Sequence, residues 1–160
     1  MEIDFFRLFI SVFICQLAGF VTGILHSKSI EGWYIKLKKP RITPPDWVLS
    51  PIWASLYLMQ GIALFLIWSS GQDSDISFTL IMFFFQIMLS MAWSFLFFGK
   101  KSLFLSLGDI VFLLFAVIIT MLSAYNVSIV AAMLFVPYLA WIIFITILNF
   151  SIWVLNYTDK

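Results

Sequence analysis

Residues 33–57 read WYIKLKKPRITPPDWVLSPIWASLY, the one long passage of the chain that is not uniformly apolar. It holds four of the five prolines (Pro40, Pro44, Pro45, Pro51), three of the seven tryptophans (Trp33, Trp47, Trp53) and four of the nine basic residues. Each X-Pro pair disfavours helix at the preceding residue and fixes the proline's own φ, so Lys39-Pro40 and Thr43-Pro44-Pro45 form a stiff, extended path. On the residues alone two readings stand open. The stretch is either an interfacial belt anchored by Trp33, Tyr34 and Trp47, or a pre-ordered lid over a pocket.

Outward from this stretch the chain is apolar. Of its 160 residues 63% are hydrophobic and only 11% charged, with a mean hydropathy of +1.08. Soluble domains carry about 25% charged residues, so this chain cannot clothe a water-facing surface and reads as an integral membrane protein. Five stretches reach the ~20 residues that cross a hydrocarbon core: about 5–26, 47–69, 78–98, 103–124 and 129–155. Lipid offers the backbone no hydrogen-bond partner, and the alternation of a membrane barrel is missing, so each is a helix. The expected fold is all-α, a bundle of five transmembrane helices, with residues 1–160 as a single domain. The first run has Glu2 and Asp4 where a leader would be basic, and is read as a retained helix.

Connections 71–77, 99–102 and 125–128 are short, which predicts that sequential helices are antiparallel neighbours. Lys28, Lys36, Lys38, Lys39, Arg41, Lys100, Lys101 and Lys160 fall on one side; Arg7, Glu2, Asp4, Asp73 and Asp75 fall on the other. The positive-inside rule then puts the N-terminus outside and the C-terminus in the cytoplasm of a bacterial cell membrane.

Polar and aromatic residues in the spans supply the candidate site. Asp46 can cap the second helix, whose Trp53, Tyr57, Gln60 and Leu64 share one face. Gln86, Ser90, Trp93 and Phe97 make a second such stripe on the third helix. Polar groups at this depth usually face the bundle interior, as a cross-helix hydrogen bond or as a ligand contact. Asp109 is the one carboxylate well inside a span; an ion pair with Lys100 or Lys101 is favoured over a proton relay. Pro137 is expected to kink the fifth helix and aim Trp141 inward. His26 is read as an interfacial residue at the end of the first helix, and Cys15 as a small buried hydrophobe. Gly19 and Gly23 form a weak helix-contact motif.

No cluster of His, Cys and carboxylates suggests a metal, and no Ser-His-Asp set or phosphate loop is apparent. With a net charge of +1, nothing points to nucleic acid.

The run Trp33-Tyr34, Leu37, Lys39-Pro40, Pro44-Pro45, Trp47, Pro51, Trp53, Leu56-Tyr57 resembles the signature of the TspO/translocator protein family, also called the peripheral benzodiazepine receptor family. The resemblance continues through Gln86, Leu89, Trp93, Phe97-Phe98-Gly99, Asp109, Pro137-Tyr138, Ala140-Trp141 and Leu148-Asn149, covering nearly the whole chain. It implies a cavity closed by the first loop that binds porphyrins such as protoporphyrin IX or haem-related tetrapyrroles, sterols in animal members, and benzodiazepine-type drugs. By position Tyr34, Pro44, Trp53, Trp93 and Trp141 would line it, with Tyr57 and Ser90 nearby. It further implies a homodimer in contact with membrane lipid, no required cofactor, and a link to light-dependent porphyrin breakdown in which Trp53 and Trp141 would be the redox-active indoles. Transport of the tetrapyrrole or of a sterol is a third implied role. The chain departs from the pattern at two points. Ser90 stands where many members have Asn, and Phe150 takes the tyrosine position of the animal cholesterol motif, leaving Val154, Tyr157 and Lys160 as a loose version.

Overall fold

A computed structural model describes residues 4–30, 32–72 and 76–157; Glu2, Asp73, Asp75 and Lys160, which enter the charge count above, lie outside it. Five helices carry the chain: α1 (Phe5–Ile30), α2 (Asp46–Ser69), α3 (Ser77–Ser94), α4 (Leu103–Val127) and α5 (Ile129–Tyr157). All five are long and apolar enough to cross a membrane once the π-helical turn Phe95–Gly99 is counted with α3. Large apolar side chains such as Phe9, Ile81, Phe112 and Met133 remain exposed, as lipid-facing residues must. The protein is a multi-pass membrane protein with an all-α fold.

The helix ends follow from local chemistry. Pro45, extended at ψ 143°, stops any helix before it, so α2 starts at Asp46. Asp46 does not cap: it is the first helical residue, where its charge still favours the helix N-terminus, and no side-chain cap bond forms. Ser102 caps α4 by accepting from the Leu105 N–H at 3.4 Å. Between α4 and α5 only Ser128 is extended; its N–H donates to the Ala124 carbonyl and its Oγ accepts from Ala131 N–H. Tyr125 therefore belongs to α4 and not to a turn. Helix α5 runs unbroken through Pro137.

Around the bundle the order is α1, α2, α5, α4, α3, with α3 closing against α1. The expectation that chain neighbours are spatial neighbours holds for α3 with α4 and α4 with α5. It holds only loosely for α2 and α3, whose backbones come close at few points and which meet through the longer side-chain pairs Trp53–Trp93, Tyr57–Ser90 and Gln60–Gln86. α1 and α2, separated by the long loop, lie side by side. Gly61 permits this: a Cβ there would stand 2.7 Å from the Val12 Cα. Gly19 likewise faces its own bundle, with the Tyr57 ring 2.7 Å from where its Cβ would be, whereas Gly23 meets nothing within 4 Å.

Candidate functional site

The π-helical turn at the end of α3 organises the aromatic residues beneath the loop. Lys100 N–H donates to the Phe95 carbonyl at 2.8 Å, a bond five residues back, and the wider turn lets consecutive Phe97 and Phe98 both point inward. Phe97 lies on Trp93, with ring centroids 5.3 Å apart, and meets Trp33 at 5.6 Å. Phe98 meets Tyr34 at 5.8 Å and His26 at 4.8 Å. From α2, Trp53 stands about 6 Å from each of three rings: Tyr57 (6.0 Å), Trp93 (6.1 Å) and Trp141 (6.2 Å). Aromatic contacts thus run without a break from α5 to the end of α1.

Below this layer the polar residues of the two stripes pair across helices. Tyr57 and Ser90 share a hydrogen bond of 2.8 Å, and Gln86 Nε2 donates to Gln60 Oε1 at 2.7 Å. All four are essentially inaccessible. Both stripes therefore face inward, and Ser90 and Tyr57 satisfy each other in the floor. Gln60 Nε2, Gln86 Oε1 and the Tyr138 hydroxyl find no partner among the described residues.

Above it lies the loop. Asn156 near the end of α5 grips the Lys38 peptide from both sides, its Oδ1 accepting from Lys38 N–H at 3.1 Å and its Nδ2 donating to Lys38 O at 3.0 Å. Tyr34, on the 3-10 turn Tyr34–Lys36, is 3% exposed and carries the Lys39 ammonium 3.7 Å from its ring centre. Burial, and secondarily the negative charge of Asp46, pushes its phenol up to about 12, so it is neutral at physiological pH. Trp33 and Tyr34 turn inward and do not anchor the loop at an interface; Trp47, 77% exposed, is the one of the three that faces out.

Two voids adjoin the aromatic layer. The smaller, about 30 Å³, is walled by Tyr34, Trp53, Trp93, Phe97 and Asn149 among others. A far larger cleft of about 410 Å³ lies between α1, α2 and α3, walled by Gln16, Gly19, Gly23, Ser50, Ala54 and Ser94. His26, Trp53, Trp93 and Phe98 line both. Of the expected lining residues, Tyr34, Trp53 and Trp93 line a void. Trp141 reaches the site only through Trp53, and Pro44, half-buried, lines neither.

Two expectations are refined or corrected. His26 lies two residues from the end of the apolar span Phe5–Lys28, as expected, but its side chain is turned into the protein: it is 8% exposed and packs on Phe98 and Tyr34, because the loop folds back over the end of α1. Asp109 forms no ion pair with Lys100 or Lys101 among the described residues; its Oδ2 is buried without a partner. Lys100 instead lies over the Phe95 ring at 5.8 Å, while Lys101 adopts φ 56° to close the turn. Sequence reasoning also missed Asn156, whose grip spans 118 positions and has no local signal.

A membrane bundle of five helices with an aromatic site roofed by its first loop is the class of protein these features define. The model of the TspO/MBR family matches residues 11–154, and the chain belongs to that family. It is 39% identical over 152 residues to a tryptophan-rich protein TspO of Archaeoglobus fulgidus, covering 94% of this chain and 97% of that one. A protein of the same name from Chlorobaculum tepidum is 38% identical over 144 residues, 89% and 91% of the two chains. The human translocator protein is 37% identical over 131 residues, 81% of this chain and 77% of its own.

Proposed function

We propose that this chain is a membrane receptor for porphyrins, of the protoporphyrin IX type, and for related flat hydrophobic molecules. The observation that carries the reading is the layer of indoles formed by Trp53, Trp93 and Trp141 beneath a loop that prolines stiffen and Asn156 ties down. Indole faces stack on a conjugated macrocycle, and each such contact contributes about 0.5–1.5 kcal/mol beyond simple burial. The positive charge of Lys36, Lys38, Lys39 and Arg41 on the same loop supports the reading, because a porphyrin of this type carries carboxylates that such groups pair with. Pockets for molecules of this size run to about 300–1,000 Å³. The void of about 30 Å³ is too small for such a ligand as it stands, whereas the 410 Å³ cleft, which shares His26, Trp53, Trp93 and Phe98 with it, is of the right size and is the proposed seat of the ligand.

Quenching of tryptophan fluorescence by protoporphyrin IX in lipid nanodiscs tests the reading. Trp53→Phe together with Trp141→Phe is expected to weaken binding by roughly tenfold or more, measured by porphyrin absorbance because the variant has fewer indoles. Unchanged affinity would place the pocket elsewhere.

The approach of Trp141 to Trp53 favours a second reading, light- and oxygen-dependent breakdown of the bound porphyrin with an oxidisable indole beside it. Under illumination in air, bound porphyrin would lose its absorbance faster than free porphyrin in the same lipid. Equal rates would exclude it. Separately, the excess of Lys and Arg at the loop end of the bundle supports a cytoplasmic position for the loop and the 99–102 turn.

A further inference from the structure

One titratable side chain of the aromatic layer has no role in the reading above. His26 ends a stripe on α1, Gln16, Gly19, Gly23 and His26, that forms one wall of the larger cleft. Gly23, three residues before it, leaves open space on this wall, whereas the Tyr57 ring packs against Gly19. The imidazole is more than nine-tenths buried and held edge-on by Phe98 at 4.8 Å. Its Nε2 has no hydrogen-bond partner among the described residues. A neutral imidazole carries its proton on one nitrogen and a lone pair on the other. With the proton on Nδ1, the Nε2 lone pair is free inside an aromatic slot where the protein offers it nothing.

We infer that His26 is a coordinating residue for the metal ion of a metallated tetrapyrrole lodged in the cleft between α1, α2 and α3. A metal-free porphyrin presents apolar faces, which Trp53 and Trp93 can cover but which give Nε2 no partner. A metal at the centre of the ring has an open position perpendicular to its plane, and neutral imidazole is the commonest protein donor for it. No bond to the protein breaks, since Nε2 supplies its own lone pair and Nδ1 keeps its proton. The slot thereby distinguishes iron porphyrin from the metal-free ring. The proposal rests on the tetrapyrrole reading above but can fail separately from it.

His26 is the one histidine of the chain, so it can be followed without substitution. The full chain, purified without a histidine tag and labelled with 15N-histidine, is placed in nanodiscs and titrated with iron(III) protoporphyrin and with metal-free protoporphyrin. Pulsed EPR of the iron complex is expected to show hyperfine coupling to the labelled nitrogen. His26→Phe, which keeps an aromatic ring against Phe98, is expected to lose the shifted Soret band and to bind iron porphyrin roughly tenfold more weakly, a larger loss than for the metal-free ring because only the iron complex also loses a coordinate bond; equal losses would overturn the coordination. His26→Ala is expected to regain the band with added imidazole. If iron porphyrin binds but no coupling appears, the coordination is refuted while the receptor reading stands. If neither porphyrin binds the wild-type chain, both fall.

Discussion

Two glycines that look alike in sequence have opposite consequences. A methyl group at Gly61 would press on the Val12 backbone at 2.7 Å, which cannot rotate away, so α1 and α2 would have to separate. Gly61→Ala is therefore expected to lower stability by about 1–3 kcal/mol, the usual range for overpacking, while Gly23→Ala, with open space, leaves the melting temperature within error. Thermal unfolding of both variants in one detergent checks the contrast, and equal effects would refute the helix contact. Asp109 offers a second test at this scale. Its Oδ2 is buried without a partner, so Asp109→Asn is expected to be neutral or to raise the melting temperature. A structural ion pair predicts the reverse, a loss of about 3–5 kcal/mol, because a partner lysine would be left alone.

The element whose behaviour matters most is the loop from Trp33 to Pro45. Its stiffness comes from Pro40, Pro44 and Pro45, but its position comes from Asn156, which satisfies both polar groups of the Lys38 peptide. Asn156→Ala removes both bonds and, within the helices, only the side-chain bond from Nδ2 to the Ile152 carbonyl of α5. Hydrogen exchange at the Lys38 amide is expected to accelerate by roughly thirtyfold, consistent with about 1 kcal/mol for each of the two lost bonds, while amides in the middle of α2 are unaffected. No change at Lys38 would mean that the prolines alone hold the loop. Tyr34 adds a pH dependence. Its neutral form is favoured in the folded state, so the unfolded chain releases its proton first, near pH 10. The contribution of Tyr34 is thus fully present below about pH 10 and is lost as pH climbs towards 12. Tyr34→Phe is expected to flatten the loop's alkaline loosening, measured by the same exchange experiment above and below pH 10.

For the whole molecule the open question is which way the bundle sits. Lys28, Lys36, Lys38, Lys39, Arg41, Lys100 and Lys101 gather at one end of the five helices, with Arg7 at the other. A cysteine replacing Ser102, in a chain with Cys15→Ala, is expected to be shielded from a membrane-impermeant thiol reagent added to intact cells, whereas one replacing Gln72 reacts. The opposite pattern would invert the topology.

Much of this architecture is legible in the chain itself. Spans of about 20 apolar residues leave the backbone no choice but helix in lipid, and Trp53-Tyr57-Gln60 and Gln86-Ser90-Trp93 face inward because polar groups avoid hydrocarbon. The signature from Trp33 to Asn149 likewise announced the family that the comparison bears out. What periodicity cannot encode is contact between distant turns. Whether Tyr34 faced outward or into the bundle, whether the His26 side chain was buried, and which helix α2 would choose as neighbour depended on a π-helical turn, a close backbone approach at Gly61 and an Asn156 grip 118 residues away. The sequence determined the helices and their inward faces, because lipid acts on each segment separately; the tertiary structure alone decided the roof, the buried imidazole and the cleft beside it, because these arise where separate segments meet.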